Sequence, residues 1–316
     1  MTTPDNASWP PAPDRPPAPD PGGVGEESPP PAAPEAGTKR AIFAYLAFNL
    51  LLPLIPVHPH RLSVGAALGL VVVPTVLFML LQLWLARALV SLRPGVRASL
   101  LAAALAAAVW LVVLQVIHPH RGWALSLNFP LALLRPLLLG LSITLSCTFF
   151  GIALSRIVRE ANVLLPIALV AMPIDYIGAM TPIGFTQNAV QQHPGIVRAV
   201  SIPVPAVGGL HPLGFIGPGD ALFLAFFLAI VQRLNLNLRG TFWGMYGLLT
   251  ATMLLVLVTG VNVAALVPMG LALLIANWPA FRLQRSEVFA TLYAVLLVLA
   301  LAVAFYAYSH AHFFHH

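Results

Sequence analysis

The chain has 316 residues, of which 59% are apolar and 8% charged, with a formal net charge of +6. Soluble domains carry roughly 25% charged residues, so this composition, with a mean hydropathy of +0.88, excludes a soluble globular enzyme and points to a polytopic membrane protein. The positive balance implies no nucleic-acid partner, because the arginines fall in short segments between apolar runs, where they set membrane orientation.

Residues 1–38 are a different material. Pro-Pro-Ala-Pro-Asp occurs at 10–14 and again at 16–20, and such a segment cannot bury a core. It is expected to be a disordered, solvated cytoplasmic tail, locally polyproline II, and it is too long, acidic and proline-rich for a signal peptide. Apolar runs then predict an all-α fold with nine membrane spans, near 41–57, 64–86, 98–117, 131–155, 161–180, 213–232, 240–260, 262–278 and 288–309. The first four form an N-terminal membrane bundle over 39–159. A catalytic core follows over 160–280, and an extra C-terminal helix with a His-rich tail occupies 281–316. The lone Cys147 falls within a span, where it reads as a small packing residue.

Alternation of the loops puts Lys39, Arg40, Arg87, Arg93, Arg97, Arg156, Arg159, Arg233, Arg239, Arg282 and Arg285 on one side, against Arg61, Arg121 and Arg198 on the other. The richer side is cytoplasmic by the positive-inside rule, which sets the N-terminus inside and the C-terminus outside. The expected location is a prokaryotic cytoplasmic membrane. All ten histidines then fall on the outer side: His58, His60, His118, His120, His193, His211, His310, His312, His315 and His316. No carboxylate or cysteine joins them, so they read as interfacial polar residues rather than as a metal site.

Two carboxylates carry the chemistry. Asp220 stands behind two glycines in Gly217-Pro218-Gly219-Asp220, at the head of an apolar run, and Asp175 lies inside Met172-Pro173-Ile174-Asp175-Tyr176. No other acidic residue lies within an apolar segment, and an ionisable group in a span is a functional-site hypothesis by default. At 1.5 Å per residue both are expected ~8–10 Å below the outer ends of antiparallel helices that are neighbours in sequence. Like charges at close range in a low-dielectric site cannot both ionise, which leaves one carboxylate as base and the other as acid, the requirement for peptide hydrolysis by an aspartic dyad. Gly217 and Gly219 allow another backbone to approach, and Pro218 discourages regular helix, so an unwound lead-in to Asp220 is expected. The segment Ile196–Ile202 is β-prone. It, or the chain just before Gly217, is expected to pair with an extended substrate.

These residues resemble the GxGD intramembrane aspartyl proteases, presenilin and more closely the signal peptide peptidases, over about 160–278. Asp175 matches the first catalytic aspartate, and Gly217, Gly219 and Asp220 match the GxGD motif. The separation of 45 residues (220 − 175) is similar to the compact signal peptide peptidase arrangement. Pro268-Met269-Gly270, or else Ala264-Ala265-Leu266, stands in place of the family's Pro-Ala-Leu motif, and Pro268 is favoured because it is expected to break a buried helix. Ile174 precedes the first aspartate where the family has tyrosine, and Tyr176 follows it. One span fewer than the family pattern precedes Asp175, and one extra span ends the chain.

The resemblance implies an aspartic endopeptidase with Asp175 and Asp220 catalytic and with Gly217, Gly219, Tyr176 and Pro268 shaping the substrate site. It needs no metal or organic cofactor. Its partners are the lipid bilayer and single-span transmembrane proteins or signal peptides with a cytoplasmic N-terminus. The alternative is a proton- or cation-coupled transporter using the same two aspartates. Transporters of that kind show paired internal repeats, and the GxGD unit has no second copy here. The prepilin peptidases share GxGD but follow it with a basic residue, where this chain has Ala221-Leu222-Phe223.

Overall fold

The computed structural model of the chain describes residues 34–57, 63–116, 128–180, 192–208, 215–259 and 263–281, with further helical positions between 288 and 304. The proline-rich stretch 1–33, most of the ninth span and every histidine except His193 lie outside the described residues.

Helix α1 runs Pro34–Leu51, so it begins within the segment expected as tail, and a 3-10 turn at Leu52–Leu54 closes it. The Thr38 hydroxyl donates to the Ala88 carbonyl and ties its first turns to α2. Helix α2, Val64–Ser91, starts where the Ser63 side chain accepts from the Ala66 N–H, an N-cap. Helices α3 (Val96–Val116) and α4 (Asn128–Ser155) follow, and α4 carries Pro136 inside it without interruption. Helix α5 spans Leu164–Met180 with Pro173 inside, two residues ahead of Asp175.

The β-prone stretch at 196–202 departs from expectation. Pro194–Val200 is a short helix, α6, with its proline in the first turn, where the fixed φ favours helix and the missing N–H costs nothing. Only after Ser201 does the chain extend, into β1 (Ile202–Pro203), which pairs antiparallel with β2 (Phe215–Ile216), Ile202 opposite Ile216. The Trp110 indole N–H donates to the Ala199 carbonyl and anchors this unit to α3.

Helix α7 runs Pro218–Arg233, α8 Leu238–Thr259 and α9 Leu266–Asn277. Nine full spans are not supported. Among the described residues, five helical stretches are long and apolar enough to cross a membrane: Gly65–Ser91, Val96–Gln115, Leu134–Ser155, Ala161–Ala179 and Leu238–Thr259. The sixth expected span starts at Pro218 rather than at 213, because proline lacks the N–H that a preceding turn would need and its φ suits a first helical position. The eighth reduces to the 12 residues of α9. The coarser reading, an all-α architecture with several membrane-length helices, stands.

Helix α7 is the centre of the bundle. Every residue from Leu224 to Val231 is buried, as expected of a helix that is apolar all round. It packs on α2, α4, α8 and α9, while α9 packs on α5 and α8. Gly151 of α4 lets the α7 backbone in: a Cβ there would sit 2.6 Å from the Leu222 carbonyl oxygen. Small residues at helix contacts serve this purpose in membranes, where close packing rather than water exclusion drives association. The far end of α9 is fixed by Asn277, whose amide donates to Thr241 Oγ1 and accepts from the Asn237 N–H, both at 2.8 Å.

Candidate functional site

Asp220 is the third residue of α7, and its Oδ2 accepts from the Gly217 N–H at 3.2 Å. The carboxylate thus satisfies a donor that the helix start leaves free, at the positive end of the peptide dipoles. Gly217 holds an extended backbone (φ −65, ψ 147), and a Cβ on it would lie 3.1 Å from that same Oδ2. The absence of a side chain is what lets the carboxylate fold back. Around Gly219 nothing lies within 4 Å of where a Cβ would stand, so protein packing does not demand glycine there. The expected unwound lead-in exists as β2 and Gly217. Asp220 accordingly sits in a first helical turn, not two turns into a helix as its sequence position suggested.

Asp175 lies five residues before the end of α5 (180 − 175). Its Oδ2 accepts from the Leu266 N–H at 3.0 Å, and Leu266 is the first residue of α9. Each carboxylate therefore binds a helix N-terminus, Asp220 its own and Asp175 that of α9. The two carboxylates border the same two cavities. An apolar one of about 520 Å³ lies against α5 and is lined by Pro166, Ile167, Val170, Ile174 and Phe223 with both aspartates. A larger one, of about 810 Å³, extends from the aspartates to Gln82 of α2, to Val200 and Ser201, along Phe215–Ile216, and to Val263–Ala265.

Of the residues expected at the site, Asp175, Asp220, Gly217 and Gly219 come together. Tyr176 is 51% exposed and lines neither cavity. Pro268 lines neither cavity. It is buried in the first turn of α9, where a proline leaves no hydrogen bond broken, so it does not interrupt a helix. Of the two alternatives, Ala264-Ala265-Leu266 bonds Asp175 through the Leu266 N–H and lines the cavities along its length, while Pro268-Met269-Gly270 reaches the larger cavity through Met269.

Gln82 was overlooked. It is 3% exposed, its amide donates to Thr144 Oγ1 at 3.1 Å, and its Oε1 has no partner among the described residues although it borders the larger cavity. The signal was present in the sequence as one of two uncharged polar side chains within the apolar run of α2, and a search for charge passes over it. Among the described residues no group of three or more His, Cys, Asp or Glu side chains is placed to hold a metal ion. No protein-family model, curated protein or solved structure matches the chain.

Proposed function

We propose that this protein is an intramembrane aspartyl protease that hydrolyses peptide bonds within transmembrane segments. The observation that carries the reading is the convergence of Asp175 and Asp220, from two different helices, on shared cavities beside an extended segment. In this chemistry one carboxylate, ionised, takes a proton from water as that water attacks the scissile carbonyl, while the other, protonated, donates a hydrogen bond to the carbonyl oxygen. Repulsion between the two charges in a site poor in solvent supplies the asymmetry.

A substrate helix must unwind before its peptide bond is attacked, and its freed backbone groups then need partners. Among the described residues β1 and β2 pair only with each other, and β2 runs along the larger cavity into Gly217. An extended substrate added beside β2 would bring its backbone to the aspartates. Gly219, with open space before it, leaves room for that approach. The orientation inferred from the arginines makes single-span substrates with a cytoplasmic N-terminus, including leftover signal peptides, the preferred class.

The test is cleavage of a model single-span substrate by the full-length protein in liposomes. Asp175→Asn and Asp220→Asn should each abolish the product while the protein remains folded in the membrane. Cleavage at the normal rate by either variant refutes the proposal; retained proton-coupled solute uptake with no cleavage by the unmodified protein would favour transport instead.

A further inference from the structure

A third cavity, about 350 Å³, lies at the opposite end of α7 from Asp220, where the C-terminal ends of α2, α4 and α7 meet. Arg93, Ser155, Arg156, Gln232, Arg233 and Asn235 supply its polar lining, and no carboxylate lines it among the described residues. The three arginines come from three separate loops that alternation assigned to one face.

What holds these cations together is neutral. Arg156 donates to the Pro94 carbonyl at 3.0 Å, and Arg233 donates to the carbonyls of Arg156 and Val158. The contacts fix the guanidinium groups without compensating their charge, and Arg156 and Arg233 act on each other as like charges. Donors remain unused. A guanidinium has five N–H groups; Arg233 Nε is buried with no partner, and the Arg93 side chain makes no hydrogen bond among the described residues. The accepting carbonyls, Pro94, Arg156 and Val158, lie just past the ends of α2 and α4, and these bonds tie the loops together. They do not account for Arg93, an exposed side chain outside these bonds whose backbone is held at φ 50 beside the same cavity.

We propose that this cavity binds a phosphate-bearing anion. Planar guanidinium groups match phosphate oxygens in charge and in geometry, forming short, charge-assisted bonds. The anion has two sources, the headgroup of an anionic lipid at the membrane surface or free phosphate, and the site reads the phosphate they share. The inference is independent of the protease reading, since neither aspartate borders this cavity.

Calorimetric titration of the purified full-length protein in neutral detergent separates the sources. Phosphatidylglycerol, inorganic phosphate and phosphatidylcholine are added in separate arms. Saturable binding of phosphatidylglycerol alone identifies a lipid site, and binding of inorganic phosphate as well identifies a general phosphate site. Phosphatidylcholine, whose phosphate is masked by its own cation, should bind at least tenfold more weakly. Arg93→Gln and Arg156→Gln should each weaken the anion on the order of tenfold, the loss expected for one charged hydrogen bond. Arg93 is the more telling position, because its side chain makes no hydrogen bond among the described residues that a substitution would remove. Absence of saturable binding by either anion, equal binding of phosphatidylcholine, or unchanged affinity in both variants overturns the proposal.

Discussion

Asp175 is expected to have two separable jobs, and the substitution chosen decides which is seen. Its Oδ2 accepts the Leu266 N–H, so Asp175→Ala leaves a helix-start donor in a partly buried site without a partner. Loss of an N-cap acceptor costs about 0.5–2 kcal/mol, and an unsatisfied buried donor about 1–3 kcal/mol, which places the expected local cost near ~1–2 kcal/mol. Asparagine keeps a neutral acceptor at the same reach. Charge-assisted bonds are roughly twice as strong as neutral ones, so Asp175→Asn should lose about half as much. Hydrogen–deuterium exchange at the start of α9 reads this directly: opening is expected to rise about tenfold for Ala and about two- to fivefold for Asn. Cleavage should vanish in both variants, because an amide cannot take the proton from water. Unchanged exchange in Asp175→Ala would remove the bond to Leu266 from the argument, and normal cleavage by Asp175→Asn would remove the dyad.

The glycines give a second contrast. Gly217→Ala puts a methyl 3.1 Å from the Asp220 carboxylate and should reduce turnover more than thermal stability, whereas Gly219→Ala meets no protein atom and should leave unfolding unchanged while raising KM for substrates bulky near the cut; melting curves and steady-state kinetics on both variants check this. Gly151→Ala drives a Cβ to within 2.6 Å of a backbone oxygen of α7 and should destabilise the bundle by about 1–3 kcal/mol in denaturant titration. Reporter fusions after Gln284 and at His316 should read inside and outside; reversal would withdraw the preference for substrates with a cytoplasmic N-terminus.

The membrane-length apolar helices, the helical architecture and the meeting of the two aspartates at one place were legible because each rests on a strong local signal: long apolar runs, and a carboxylate where carboxylates are costly. The pairing of Asp175 with Leu266 was not legible, since a backbone N–H carries no residue signature and the contact joins positions 91 apart. That Pro268 starts a helix, with Leu266 rather than Pro268 bonded to Asp175, was not legible for a related reason. Proline was read as a helix breaker, but in a first turn it breaks nothing, and where α9 begins depends on tertiary contacts. The strand at 196–202 failed because β propensity in Val and Ile lost to the helix-starting effect of Pro194, with Trp110 bonding to the Ala199 carbonyl near the end of that helix.

The short helices link architecture to site. At 1.5 Å per residue α7 reaches ~24 Å and α9 ~18 Å, less than the roughly 30 Å of a hydrocarbon core. Arg233 closes α7, and a charged side chain belongs at the headgroups, so the deficit of α7 falls at its N-terminal end. On the proposed reading α7 then begins below the membrane surface, where lipid supplies no acceptor for its first N–H groups, and α9 begins beside it at the same cavity. Non-helical backbone is tolerated at such depth only when it lines a cavity or is buried in protein. Asp220 and Asp175 provide the missing acceptors, and the cavities provide the access. A carboxylate that starts a helix inside the membrane is therefore already placed at a polar opening in an apolar barrier, which is the location that hydrolysis of a membrane-embedded peptide bond requires.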